Sequence, residues 1–459
     1  MTSIHDFRSF PELRAKILEG MKEFHVPGLA LGIIQDGQWY SEGFGVTSVK
    51  NPLPVTTETL FQIGSTTKTV TGTVIMILCE QGKLELDASV KKYLPNLELQ
   101  DADVAARMTI RQLLNHTAGW AGDLFVGTGD GNDALELYVQ KMRDLPQLTP
   151  LGEVWHYNNA AFGLAGRVVE VVTGKSFETV ARELVLEPLE MRQSNFYPWE
   201  AMTERFAVGH YLDEHDVVQI SKPWALARNT SSVGRINSSV LDQLKYAQFH
   251  LGDGTTASGT RVLSSESMLE MQRPSVKGAN GAEHGVSWFV LNLAGTTMIR
   301  HGGATNGQMS EFVLVPERHF AWTILTNAEK GRALNAELNS FIQQNMLGLQ
   351  EPEPEHLELS SAELEPYLGA YREQSMGTVI ELKLEDGVLM RHVIPGDYSG
   401  VSDIITPPPP DARCTMISGE RLLVLEGDAK GTKPEFLRDN KGTIRYLRSS
   451  GRIYFKTEL

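Results

Sequence analysis

The run Phe61-Gln-Ile-Gly-Ser-Thr-Thr-Lys-Thr-Val70 places a serine and a lysine three positions apart, Ser65 and Lys68, directly ahead of an apolar helical pattern that reaches Glu80. On an α-helix such residues share a face, with Cβ atoms about 5–6 Å apart. A hydroxyl held beside an amine is a candidate nucleophile, because the amine can accept the hydroxyl proton. The same pattern recurs at Ser89 and Lys92, so spacing alone leaves open which pair, if either, does chemistry.

Outward from this run, the chain alternates in character. A helix is predicted from about Pro11 to Phe24, then a hairpin in which Leu29–Ile34 and Trp39-Tyr40 flank the turn signal Asp36-Gly37. Thr66 to Glu80 reads as a buried helix closed by Gly82. From about Leu86 to Gln193 the patterns are mostly helical, the clearest being Phe162–Val172 before Gly174. Strand-like runs return at Ser287–Leu291, Glu311–Val315 and Ala321–Thr326, and a helix follows from about Ala333 to Met346. A helical middle between two β-containing stretches implies one sheet made from both ends of the first 350 or so residues, with a helical insertion at about 86–195. Such a junction leaves a cleft, where ligand sites tend to lie.

The composition then shifts. Gln350-Glu-Pro-Glu-Pro-Glu355 is charged and proline-rich, and 350–360 reads as a linker. From 361 to 459 short alternating runs (Val379–Leu384, Arg421–Leu425, Thr443–Leu447) are separated by turns such as Asp386-Gly387 and Ser450-Gly451. That spacing predicts a small barrel or sandwich. Thr406–Pro410 should be a stiff surface loop.

The bulk numbers limit the function classes. The chain has 459 residues, 41% hydrophobic and 22% charged, with a formal charge of −15. This describes a globular protein of two domains and argues against nucleic acid or an anionic membrane surface as partner. No stretch approaches the roughly 20 apolar residues of a membrane span. The N-terminus lacks a basic segment followed by an apolar one, so no signal peptide is visible and a cytoplasmic location is expected, export by another route remaining open. Cys79 and Cys414 lack metal-ligand spacing, and Cys79 reads as a buried small hydrophobe. No His-Glu-x-x-His occurs, and neither a metal nor another cofactor is expected.

Two further patterns matter: Tyr157-Asn158-Asn159, and His301-Gly302-Gly303-Ala304 after the strand-like Thr297–Arg300. In order and separation the three resemble the motifs of the serine β-lactamase and DD-peptidase superfamily: Ser-x-x-Lys, Tyr-x-Asn, and Lys-Thr-Gly or His-x-Gly. The nearest likeness is to the class C β-lactamase-like group of D-aminopeptidases, esterases and penicillin-binding-protein homologues. Val26–Leu31, Gly82–Pro95, Thr109–Gly119 and Pro188–Met191 are similar to family segments as well, so the resemblance spans about residues 7 to 347. It singles out Ser65 and Lys68, since Ser89 and Lys92 fall in a loop. The fold it implies is α/β (α+β): an antiparallel sheet flanked by helices with a helical subdomain in residues 1–349. The trailing β domain, with Tyr367-Leu-Gly-Ala-Tyr371, is similar to the lipocalin-like barrels of some family peptidases, which can cover the cleft.

The chemistry makes its own demands. Serine is a poor nucleophile near neutrality, and an ordinary lysine, with a pKa of about 10.4, stays protonated. Lys68 must therefore be desolvated or sit near other cations or hydrogen-bonding groups. The resemblance implies that Tyr157 stands beside Ser65, that Asn159 contacts Lys68 and the substrate amide, and that His301 lines the opposite wall on an edge strand. It implies an oxyanion hole from the backbone N–H groups of Ser65 and Ala304, with Gly302 and Gly303 allowing close approach to ligand. Whether Lys68 or Tyr157 accepts the first proton stays open. His301 stands where a lysine is typical of true β-lactamases, and histidine titrates near neutrality. Other candidates have plainer readings: His116 and His156 satisfy local backbone groups, His250 ends a helix and Asp242 begins one. Arg235 departs from the family's glycine-rich pattern.

The expectation is a serine hydrolase acting through an acyl-enzyme on short peptides or amides, D-residues favoured, or on small esters. The alternatives are a β-lactamase or carboxylesterase of the same fold, or a scaffold that keeps the fold without turnover. Self-association as a homo-oligomer is left open.

Overall fold

The computed structural model describes residues 4–222, 224–279, 281–397, 409–427 and 429–457. The first helix, α1 (Pro11–Glu23), has proline at its start, where a missing N–H costs nothing. β1 (Gly28–Gln35) and β2 (Gln38–Gly45) form a hairpin. Asp36 and Gly37 both lie at positive φ, 51° and 76°, the turn geometry that matches the strands' own twist. A single 3-10 turn, Gly64–Thr66, then leads into α2 (Thr67–Glu80), buried on all sides from Thr67 to Leu78. Its polar side chains are satisfied inside the core, Thr69 donating to the Thr66 carbonyl and Thr73 to the Thr69 carbonyl.

Short helices follow, among them Ile110–Leu114 and Ala134–Lys141. α3 (Asn159–Thr173) is capped by the Asn158 side chain, which accepts from the Ala161 amide, and ends at Gly174 in the left-handed region. α4 (Val240–Leu251) precedes the remaining strands, β3 (Phe289–Leu293), β4 (Thr296–Thr305), β5 (Gln308–Val315) and β6 (Phe320–Thr326), and α5 (Gly331–Phe341).

These strands make one sheet in the order β2-β1-β6-β5-β4-β3, antiparallel throughout, with short strands added at both edges. β1 pairs with β6 from Leu29 to Gln35, so the two ends of this part of the chain do share the sheet. α1 and α5 cover one face over Leu13, Ile17, Leu334 and Leu338. α4, α2 and the helical middle cover the other in a single larger core. One register detail shapes the site. β3 pairs with β4 only as far as Arg300, whereas β5 continues to Thr305. The stretch from His301 to Thr305 therefore has a ladder partner on one side only.

Beyond residue 350 the chain has no regular element until His356–Leu357, which pairs with Ile417 and Met416. The stretch read as linker thus already carries a short barrel strand. The barrel itself comprises β7 (Gly369–Glu373), β8 (Val379–Glu385), β9 (Val388–Ile394), β10 (Ala412–Ile417), β11 (Arg421–Val424), β12 (Glu435–Arg438), β13 (Ile444–Ser449) and β14 (Arg452–Lys456). Each pairs with the next, and β14 returns to β7, so these eight strands close on themselves. Closure removes the exposed edges that short strands would otherwise present. Tyr371, Leu382, Met416, Leu422 and Leu447 fill the interior. Most of the Thr406–Pro410 loop lies outside the described residues. Among the described residues no helix is long and apolar enough to cross a membrane.

Candidate active site

Ser65 lies in the 3-10 turn that starts α2. The turn is pinned to β5: the Ser310 hydroxyl donates to the Ile63 carbonyl at 2.7 Å and shares a 2.8 Å bond with Thr66 Oγ1. It is equally close to β4. A Cβ on Gly64, itself at φ 51°, would lie 2.6 Å from the Ala304 nitrogen. A Cβ on Gly303 would overlap the Ile63 carbonyl oxygen and lie 2.8 Å from the Ser65 nitrogen. Bare glycine backbone is what lets the amides of Ser65 and Ala304 meet at one junction. Gly302 is looser, the nearest atoms to its added Cβ being 3.3 Å away.

Lys68, one helical turn on, is fully buried. Its Nζ donates to Ser65 Oγ and to the Val233 carbonyl, both at 2.9 Å, and lies 5.0 Å from the centre of the Tyr157 ring. Burial, followed by the charge of Arg452, pushes the Lys68 pKa well below that of an ordinary lysine, with Asp123 opposing. The shift is in the direction that favours the neutral amine. Ser89 and Lys92 are unlike this: Ser89 caps a short turn and Lys92 forms an exposed ion pair with Glu85.

Tyr157 stacks on His116 with ring centres 4.4 Å apart. His116 Nδ1 accepts from the Asn158 amide at 2.9 Å, and burial drives the ring's pKa well below the ordinary histidine value. Burial raises the Tyr157 pKa above that of a free phenol, while its hydrogen bond with Ser65 and the charge of Arg452 act the other way. Tyr157 is thus a phenol at neutral pH.

Two expectations change. Asn159 opens α3, but its Nδ2 donates to Asp123 Oδ1 at 2.7 Å, and the two hydrogen bonds of Lys68 go elsewhere. His301 sits on β4, where the cleft-side ladder is missing, so it does line an open strand edge within an inner strand. It does not behave as a neutral-pH titrant: burial holds the pKa well below 6.5, even though Nδ1–H donates to the Gly302 carbonyl at 2.7 Å, a bond that pulls the other way. Nε2 is left as an acceptor, with no partner among the described residues.

Sequence reasoning missed the groups that close the site. The β13–β14 hairpin of the barrel enters the cleft tip first. Its Gly451 carbonyl accepts from the Tyr157 amide at 2.7 Å. Arg452 forms a forked ion pair with Asp123, through Nε to Oδ2 and Nη2 to Oδ1. Arg448, buried, donates to the Trp155 and Gly278 carbonyls and pairs with Glu435. Ser450-Gly451 was legible as a turn, but nothing local indicates where that turn points.

The lesser candidates resolve simply. His250 Nε2 meets Thr73 Oγ1 inside the core, and Asp242 accepts from the Gln193 and Ser194 amides. Arg235 is buried against the Tyr197 ring. Cys79 is only partly buried, its thiol pushed up to about 11 by burial.

A sequence profile of the beta-lactamase family matches residues 13–345. Penicillin-binding protein 4 of Amycolatopsis lactamdurans is 34% identical over 340 residues, 72% of this chain and 88% of that protein. Among solved structures, SurE superposes with a TM-score of 0.75 at 23% identity, covering 97% of this chain and 99% of SurE. The octameric penicillin-binding protein homologue from Pyrococcus abyssi does so with a TM-score of 0.67 at 23% identity, covering 97% and 99%. Both likenesses extend through the barrel. A class C β-lactamase from Rhodobacter sphaeroides matches 72% of the chain, with a TM-score of 0.60 at 22% identity.

Proposed function

The chain belongs to the beta-lactamase family of serine hydrolases that act through an acyl-enzyme, and from that premise we propose that it cleaves short peptides or amides, D-residues favoured, or small esters. The observation that carries the reading is the buried Lys68 amine bonded to Ser65 Oγ in a cleft narrowed by the barrel hairpin.

In this reading Ser65 Oγ attacks the substrate carbonyl, and its proton passes to Lys68, directly or by way of Tyr157. The two groups share one proton network, and the first acceptor is a property of the pair. The Ser65 and Ala304 amides receive the developing oxyanion, usually the largest single contribution to rate. The carbonyl–nitrogen or carbonyl–oxygen bond then breaks, and the leaving group takes the proton back. Water repeats the sequence to release the acid and restore Ser65. His301, neutral with Nε2 free, accepts a hydrogen bond from Tyr157 or from substrate. Asn159, held by Asp123, faces the substrate amide.

The hairpin brings Gly451 and Arg452 against Tyr157, and a wall at that point supports small substrates over extended chains. A neutral histidine in the third motif, where a fixed positive charge would suit a lactam carboxylate, supports peptides and esters over lactams. The test is a panel of a chromogenic ester, a chromogenic cephalosporin and D- and L-alanine anilides, each compared with Ser65→Ala. The ester or D-anilide should turn over with the highest kcat/KM. A dominant cephalosporin rate would replace this substrate assignment with a β-lactamase, and inertness to all four would favour the scaffold reading.

A further inference from the structure

The barrel delivers a charge to the catalytic centre. Arg452 is the first residue of β14, and its guanidinium carbon lies 4.9 Å from the centre of the Tyr157 ring, against which Lys68 Nζ sits at 5.0 Å. Asp123, only 10% exposed at its side chain, grips that guanidinium with both oxygens and receives the Asn159 carboxamide. The hairpin is held by two anchors independent of Arg452: the Tyr157 amide to the Gly451 carbonyl, and Arg448 to the Trp155 and Gly278 carbonyls.

We propose that Arg452 is a positioning residue of this active site, supplied by the barrel: it fixes Asp123, and through Asp123 the carboxamide of Asn159, while setting a permanent positive charge against the Tyr157 ring on which Lys68 also lies. The inference rests on the reading of Ser65 and Lys68 as nucleophile and base.

The surroundings of Lys68 make the charge matter. His116 and His301 interact with it, and His284 stands behind both. Burial keeps all three neutral, His284 with a pKa of about 4. Tyr157 is a phenol and Phe162 an apolar ring. Arg452 and Asp123 are the charged side chains acting on the amine, with Arg452 the stronger. A fixed cation disfavours a second one nearby, so Arg452 favours the neutral, proton-accepting amine. An arginine suits the task because it does not deprotonate and its fork matches a carboxylate.

The experiment compares pH profiles of kcat/KM for the full-length protein, R452Q, R452K and D123N on one chromogenic ester, with Ser65→Ala as baseline. R452Q should move the acid limb to higher pH, on the order of one unit, so that activity lost near neutrality returns on the alkaline side. R452K should keep the limb near its original place while lowering kcat, because the charge survives and the fork does not. D123N removes the opposing charge and should move the limb to lower pH. Hydrogen exchange at the Tyr157 amide reports whether the hairpin stays docked. Coincident limbs in the parent and a docked R452Q, or a loss uniform across pH, would overturn the proposal. If R452Q undocks or fails to fold, D123N decides: an acid-side shift supports the proposal and an unmoved limb overturns it. Full activity in Ser65→Ala would instead remove the underlying reading.

Discussion

Arg452 and Asp123 lie 329 positions apart in the chain and are joined by a forked ion pair, with the guanidinium lying against the Tyr157 ring. The pair links the domain that carries Ser65 to the barrel, and it links both to Asn159. A cleft assembled this way has walls from two domains, and its electrostatics depend on their docking.

Lys68 is the group whose replacement should be most revealing after Ser65. Lys68→Ala and Lys68→Arg should each lower kcat/KM by about 10²–10⁴, the usual worth of a positioned proton acceptor. Arginine keeps the charge but gives up no proton at any working pH, so Lys68→Arg should not recover in alkaline buffer. Steady-state rates from pH 6 to 10 check this.

The acid limb of the pH profile should belong to the Lys68–Tyr157 pair and not to His301. The sign follows from the direction of the shift. Burial lowers the Lys68 pKa, activity needs the unprotonated amine, and activity therefore falls as pH drops through the lowered value. His301 is already neutral well below 6.5. His301→Gln should reduce kcat while leaving the limb where it was. A limb that vanished in His301→Gln would assign the titration to the imidazole.

The two glycines of the third motif should not be equivalent. Gly303→Ala drives a methyl group into the Ile63 carbonyl and toward the Ser65 nitrogen, whereas Gly302→Ala meets only contacts of 3.3 Å and beyond. Losing one oxyanion donor costs about 10²–10³ in kcat. Gly303→Ala should lose at least that much, and Gly302→Ala should retain most of the activity.

Gly451 joins stability to activity. It lies at φ 77°, and an added Cβ would sit 3.2 Å from the Tyr157 Cβ and 3.5 Å from the Trp155 ring. Gly451→Ala should cost about 1–2 kcal/mol in unfolding free energy for the left-handed backbone. It should also depress kcat by displacing Arg452. Thermal unfolding and ester turnover on the same preparation check both.

Local pattern explains why some of this was readable in the sequence. The apolar half of the run after Ser65, Val74 to Cys79, reads as a core helix, and it places Ser65 and Lys68 at the start of that helix. The Asp36-Gly37 and Ser450-Gly451 turns are short-range chemistry and appear as the residues dictate. Tyr157 and His301 came from resemblance. What stayed hidden is long-range. Asp123 carries no motif, and Arg452 looks like any hairpin-tip cation until the domains dock. The neutrality of His301 depends on its burial and on the neighbouring charge of Lys68, which outweigh the pull of the Gly302 carbonyl, and a sequence displays none of this.

The most direct test of the central claim is a covalent one. The protein is reacted with a fluorophosphonate, weighed intact and digested, and the labelled peptide is identified. One adduct per chain is expected, on the peptide containing Ser65, and none in Ser65→Ala. Equal labelling of Ser65→Ala, or an adduct on a peptide without Ser65, would contradict it.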